Sequence, residues 1–518
     1  VTLRLFETVT AESATRQFFK YLSLAHWMAA AVIVLFGHFS ALALSALGLT
    51  AVSGSINRWP RYRRGPFALV ASVSTCVYFV LPAIFIAISG DGYQFGEGLA
   101  SVPRDNAEYA HAAPLAIAYL AALLLALAAG LALAAGRREP NAPTLLRNLR
   151  PDMPIGVLAI VVLVLAQLSN DALLLTRATG SSTAESLWGF IFFDHAYLML
   201  LPVVVSLRLL QPGSTRQLII NWQFALILLL FMLQATIGST SKGFILTLFV
   251  LSFVMPLSYL QSSRSVLCLM PSRLTIAVGL IGSVWVFFLA QALRVVTFTG
   301  GSLSVGTILS AAFSSETQSS LGSMLVVIGY RVATSLDRYI LLFDAHLHSG
   351  HSGAYALQFA DYLGKNFVNL VLPGTPFPEA YAPSSNLMPA VLSSGPLMGE
   401  SSKAQLLLSL NTQPYTLFGV AIVLCGALAP LAVFGVGGVL SSTYRLTRNV
   451  PVRLSLIYLF NAAVHSYGIE VVVANAIHLG VSMFIFVWLM RSWRRIRIWF
   501  RATKLFGTAD TVGVPVQR

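Results

Sequence analysis

Apolar runs of about twenty residues recur along almost the whole chain, and they leave it few folds. An α-helix rises about 1.5 Å per residue, so such a run crosses a hydrocarbon core of about 30 Å. The stretch 218–236, "LIINWQFALILLLFMLQAT", is one example. The chain of 518 residues is 56% hydrophobic and only 10% charged, whereas a soluble domain carries about 25% charged residues. With a mean hydropathy of +0.76, the pattern predicts an all-α polytopic membrane bundle. The first long run, from about Tyr21, is too long for the h-region of a cleavable signal peptide.

Twelve spans are predicted, at 20–37, 41–56, 67–89, 113–135, 154–170, 187–207, 218–237, 243–260, 275–293, 413–437, 453–467 and 472–490. Residues 21–56 are apolar almost without interruption. One helix over them would be about 54 Å long, so a hairpin turning at "GHFS" (37–40) fits a bilayer better. With the N-terminus inside, the cytoplasmic segments are 1–20, 57–65, 136–152, 208–217, 261–274, 444–453 and the tail from Arg491. They hold 25 of the 33 Lys and Arg residues and leave 8 outside. Of the 19 acidic residues, 14 lie outside or in the outer ends of spans. This asymmetry is the positive-inside rule at work. It accounts for the net charge of +14 and the basic tail "RSWRRIRIWFR" without nucleic acid. Cys76, Cys268 and Cys425 are scattered and suggest neither a disulfide framework nor a zinc site.

The chain then divides into a nine-span bundle (1–293), a large outer loop (294–411), three further spans (412–491) and a basic cytoplasmic tail (492–518). Within the loop, 321–343 is apolar enough to resemble a span. Arg331, Asp337 and Arg338 make it expensive in lipid, and a crossing there would place the basic tail outside. An amphipathic helix at the outer face is expected instead, with a second over 353–372 and an irregular Pro- and Ser-rich stretch at 372–389.

The eight outer cations are the first place to look for chemistry, because orientation disfavours them. Arg104 and Arg177 have acidic neighbours in their loops and read as solvated surface; Lys365 and Lys403 are weaker candidates. Lys242, in "IGSTSKG" (237–243), falls in the first turn of an inward-running helix. The helix dipole is unfavourable to a cation there unless an anion is close. Backbone N–H groups and the hydroxyls of Ser239, Thr240 and Ser241 make the turn a candidate phosphate site, although a snorkelling lysine accounts for it equally well. Arg294 ends the ninth span, where a helix C-terminus favours a cation. Arg331, Ser335 and Arg338 share one helix face at i, i+4 and i+7, and two guanidiniums on one stripe suit a pyrophosphate.

Candidate general bases are Glu379, Glu400, Asp337, Asp344 and Asp361 in the loop. Glu470 and His465, beside Tyr467 in the last outer turn, join them. Asp194 and His195 form an ionisable pair in the sixth span. His346, His348 and His351 cluster in "DAHLHSGH", but their spacing matches no strong zinc signature. No P-loop, G-x-S-x-G or H-E-x-x-H motif is present in the sequence. No metal and no cofactor are expected.

In architecture, the chain resembles the Wzy-type polymerases of O-antigen and exopolysaccharide repeat units. The likeness rests on 10–14 spans, one large outer loop before the last helices, and a basic tail. Locally it rests on "GSTSKGFILTL" (238–248), with Lys242 where relatives carry arginine, and on "RVATSLDRYILLFDAHLHSGHSGAYALQFADYLGKNFVNLVLPGTPFP" (331–378). The resemblance implies a metal-independent glycosyltransferase of the bacterial inner membrane. Its donor and acceptor would be undecaprenyl-diphosphate-linked oligosaccharides met at the periplasmic face, and a chain-length regulator is a conceivable partner. Lys242, Arg294, Arg331 and Arg338 would then bind the donor pyrophosphate, and Glu379, Glu400, Glu470 or His465 would serve catalysis. An O-antigen ligase shares this architecture. A transporter or flippase is disfavoured by the absence of an internal repeat and by the position of the loop.

Overall fold

The computed structural model describes residues 6–36, 40–89, 106–134, 254–255, 257–260, 267–271, 335–347, 416–447 and 450–465, and single positions or pairs at 306, 333, 357, 360–361, 364–365, 368, 492 and 495. These residues are helical almost throughout. Among the described residues, four stretches are long and apolar enough to cross a membrane: Glu12–Phe36, Ala68–Ser89, His111–Leu133 and Leu417–Leu446. The expected spans at 154–170, 187–207, 218–237, 275–293 and 472–490 lie outside the described residues.

The expected hairpin is present as two helices, α1 (Ala11–Phe36) and α2 (Ala41–Ile56). Ser40 starts α2, its side chain accepting from the Ala43 N–H at 3.2 Å. The helices are tied where His26 Nε2 meets Ser53 Oγ at 2.9 Å. The other ring nitrogen lies 2.6 Å from the Leu22 carbonyl, which can only accept. Nδ1 therefore carries the proton and Nε2 accepts from the serine hydroxyl. Helix α1 begins well before the expected residue 20, so residues 11–20 are not loop.

The expected helical class holds for the described residues, with one short two-stranded ribbon added to it. Phe6–Thr10 (β1) pairs antiparallel with Leu267–Pro271 (β2), Phe6 opposite Pro271 and Thr10 opposite Leu267. The aromatic and β-branched residues of "FETVT" and the apolar "LCLMP" give both segments residues that suit a ribbon.

A short helix, α3 (Pro60–Arg63), turns the chain from α2 into a continuous rod. That rod consists of α4 (Ala68–Thr75), a π-helical turn (Cys76–Val80) and α5 (Leu81–Ser89), and it matches the expected span at 67–89 closely. Helix α6 (Asn106–Ala134) starts seven residues before its expected bound. Within the stretch expected as outer loop, residues 335–347 form a helix, α7.

The expected single span at 413–437 is broken. It consists of α8 (Leu417–Cys425), a 3-10 turn (Gly426–Leu428) and α9 (Ala429–Leu446), followed by α10 (Val450–His465). The break has a local cause. Pro430 has no N–H to offer the Gly426 carbonyl. That oxygen instead takes the shorter-range bond from the Ala429 N–H and a second from the Tyr119 hydroxyl of α6 at 3.4 Å. Gly426 sits at φ +54°, a backbone region that other residues rarely adopt.

Helices α6 and α9 form the most extensive helix pair among the described elements, and they run parallel. Tyr119 meets Gly426, Gly130 meets Phe434, and the Leu131 carbonyl accepts from Ser441 Oγ at 3.4 Å, so both chains advance together. Glycine makes the approach possible. A Cβ on Gly437 would lie 2.9 Å from the Leu127 carbonyl oxygen, and one on Gly130 would collide with the Phe434 carbonyl. Small residues that let backbones touch are the usual means of joining helices in lipid. Helix α10 closes against α4, with Ser74 Oγ donating to Asn461 Oδ1 at 2.6 Å. Phe67 packs between Tyr444 and Phe460 with ring centroids 5.5 and 5.1 Å away.

Candidate functional site around a buried charged helix

Helix α7 was expected to be amphipathic and to lie on the outer face. Instead, every residue from Leu336 to Ala345 is buried. The reason is legible in "YILLF" (339–343): five consecutive apolar residues cover every side of a helix, and no single surface stripe can hold them. The expectation weighed the charges in 331–338 against lipid. The structure surrounds this helix with protein.

Three charged side chains are buried with it: Asp337 at 1%, Arg338 at 7% and Asp344 at 2% exposure. Ionised groups away from water are stable only with partners and hydrogen bonds around them. In an apolar bundle such groups mark a functional region by default. Asp337 and Asp344 are two turns apart and share one side of α7. Tyr339, Phe343 and His346 occupy another. Tyr339 stacks on Phe343 with centroids 6.5 Å apart, and Phe343 meets Tyr119 of α6 at 5.6 Å. Leu342, bordering that second side, packs on Gly419 of α8, where a Cβ would lie 2.5 Å from the leucine methyl. Helices α6 and α8 thus fix the rotation of α7 and, with it, the directions of its charged residues. Thr416 caps α8, accepting from the Gly419 N–H at 3.3 Å.

His346 is half-buried at the end of α7, and burial pushes its imidazole below the usual histidine range. It is therefore neutral at pH 7 and able to accept a proton. At the described positions within 353–372 the chain is helical. Leu357 is 75% exposed there, and Lys365 pairs with Asp361 at 2.7 Å, as a surface helix requires.

Of the expected site residues, Arg338 is the one whose side chain the structure places. His465 is the last residue of α10. Lys242, Arg294, Arg331, Glu379, Glu400 and Glu470 lie outside the described residues, as do His348 and His351. Asp337 and Asp344 gain most from the structure. As two of several loop carboxylates they could not be singled out by spacing, but burial now sets them apart. Comparison with known protein families, characterised proteins and solved structures gives no match to this chain.

Proposed function

We propose that the protein is a polytopic membrane glycosyltransferase that polymerises lipid-linked oligosaccharide repeat units. It transfers the growing glycan from undecaprenyl diphosphate to a sugar hydroxyl of a new lipid-linked repeat at the periplasmic face of a bacterial inner membrane. The observation that carries this reading is α7, a helix of the expected catalytic loop that holds Asp337, Arg338 and Asp344 buried beside the spans.

The twelve-span arrangement is part of the proposal, and two contacts support it. The parallel alignment of α6 and α9 requires an odd number of crossings between them, and five are predicted. A sixth at 321–343 would reverse α9. Strands β1 and β2 pair although more than 250 residues separate them, and the charge rule puts both on the cytoplasmic side.

In the proposed reaction the acceptor hydroxyl attacks the anomeric carbon of the donor. A new C–O bond forms, and the bond from that carbon to the diphosphate breaks. The hydroxyl proton passes to a general base, and the leaving diphosphate takes up negative charge that guanidinium and ammonium groups stabilise. Arg338, with Lys242, Arg294 and Arg331, is assigned to the diphosphate. Asp344, Asp337 and the neutral His346 join Glu379, Glu400, Glu470 and His465 as candidates for the base.

Deletion followed by glycan analysis tests the reading. A product reduced to core plus a single repeat is expected. Complete loss of attached glycan would make the protein an O-antigen ligase, and unchanged chain lengths would exclude both.

A further inference from the structure

The elbow between α2 and α4 carries four arginines in seven residues, Arg58, Arg61, Arg63 and Arg64. Arg63 is structural: its guanidinium lies 5.3 Å over the buried Phe19 ring, and its Nε donates to the Asn57 carbonyl. The other three are exposed. Arg58 stacks 5.5 Å over Trp27, which is itself 62% exposed on the outer surface of α1. An indole on the perimeter of an apolar bundle, covered by a cation, belongs at the depth of lipid headgroups.

Among the described residues, no carboxylate pairs with any of these arginines; the acidic side chains there are taken by Arg16 and Lys365 or lie elsewhere. The cations also disfavour one another. Partial burial, and then the neighbouring Arg58, hold the Arg63 guanidinium below its usual range. Behind them Asn57, 1% exposed, lines a small cavity with Ser53, Tyr62, Ser72 and Thr75. Its Oδ1 accepts from Ser72 Oγ at 2.5 Å, but its Nδ2 meets no acceptor among the described residues. Donors and positive charge accumulate on this elbow without the acceptors to match them.

We infer that the elbow is a docking site for the phosphodiester headgroup of an anionic phospholipid, held by Arg58, Arg61 and Arg64 beside Trp27. One guanidinium stacked over an exposed indole, with two more exposed within the next six residues, suits a headgroup phosphate in charge and depth. The inference rests on the membrane part of the proposal and not on glycan transfer, so glycan analysis and lipid binding succeed or fail separately.

The test uses the full-length protein, purified from membranes and exchanged into nanodiscs of phosphatidylglycerol and phosphatidylcholine in equal parts. Lipid that remains bound after detergent extraction is quantified by native mass spectrometry. The expected result is phosphatidylglycerol enrichment that falls roughly thirtyfold in Arg61→Gln/Arg64→Gln, as loss of two basic side chains at an anionic surface implies. Arg61→Lys/Arg64→Lys, which keeps charge and orientation, should fall between the two because lysine lacks the planar fork. Arg16→Gln, which removes an exposed arginine paired with Glu12, should match wild type. Equal retention of both lipids by wild type, or unchanged enrichment in the double glutamine variant, would overturn the proposal. Displacement of the lipid by millimolar inorganic phosphate alone would also overturn it, by showing a free-anion site.

Discussion

The Tyr119 hydroxyl of α6 donates to the Gly426 carbonyl at 3.4 Å, at the point where the span from Leu417 to Leu446 changes helix type. The same tyrosine meets Phe343 of the charged helix at 5.6 Å. One side chain on α6 therefore supports both the break in α8–α9 and the position of α7. Removing the hydroxyl in Tyr119→Phe should cost about 1 kcal/mol, the usual net value of one hydrogen bond, and should leave the ring contact intact. Gly426→Ala should cost about 1–3 kcal/mol, because φ +54° strains any side-chain-bearing residue. Thermal unfolding in a mild detergent reads both. Equal stability of Gly426→Ala and wild type would refute the strain argument.

Glycines on α9 should differ sharply in their tolerance. Gly437→Ala puts a Cβ 2.9 Å from a backbone oxygen of α6 and forces the helices apart; overpacking of this kind costs about 1–3 kcal/mol. Gly435 has nothing within 4 Å of its would-be Cβ. Gly435→Ala should therefore be neutral or stabilise by up to about 1 kcal/mol through helix propensity. Melting temperatures that shift alike would show that α6 and α9 do not meet as described.

His26 and Ser53 should be energetically coupled. Ser53→Ala leaves a buried imidazole nitrogen without its partner, at a cost of about 1–3 kcal/mol. His26→Leu should cost a similar amount, and the double substitution should cost less than the sum. Additive losses in a double-mutant cycle would mean that the contact contributes nothing of its own.

Arg338 should separate function from folding only when its charge is kept. Arg338 is 7% exposed, and removing one member of a buried charged group costs about 3–5 kcal/mol, so Arg338→Ala should lower protein abundance. Arg338→Lys keeps the charge and loses the bidentate fork. It should leave abundance within about twofold of wild type and shorten or abolish glycan chains. Wild-type chain lengths from Arg338→Lys would remove the guanidinium from diphosphate binding.

His346 predicts a direction for pH dependence. Its folded pKa lies below the ordinary value of 6.5 because burial disfavours the imidazolium. Above pH 6.5 it is neutral in both states and has no effect. As pH falls below 6.5, the unfolded chain takes up a proton before the folded one, and stability declines. The melting temperature should therefore drop between pH 7.5 and 5.5 by less in His346→Gln than in wild type. Identical slopes would place His346 in water.

Much of this architecture is legible in the residues. Leu, Ile, Val, Phe and Ala in long runs leave a chain no choice but helices. The length of 21–56 against a bilayer demands two helices in place of one, and α1 ends at Phe36 and α2 begins at Ala41. The span over 68–89 was readable for the same reason. Where the reading fell short, the missing information was local chemistry or distant partners. The break at Gly426 depends on Pro430 and a tyrosine three hundred residues away. The early start of α1 was hidden by its polar first turns, which hydropathy reads as loop.

By itself, then, the sequence determined the helical class, the paired helices at the N-terminus, the apolar stretches at 68–89, 111–133 and 417–446 among the described residues, and the small set of ionisable residues from which a site could be built. Hydropathy and periodicity act within one segment, and these features depend on little else. Only the tertiary structure decided which of those ionisable residues are buried, which helices touch, and in which direction they run together. Asp337, Arg338 and Asp344 could be weighed in sequence only against water or lipid. The helix that carries them packs on α6 and α8, and the contacts of Leu342 with Gly419 and of Phe343 with Tyr119 join residues far apart in the chain. No local pattern encodes such contacts; they follow from the shapes of surfaces that meet only when the bundle closes.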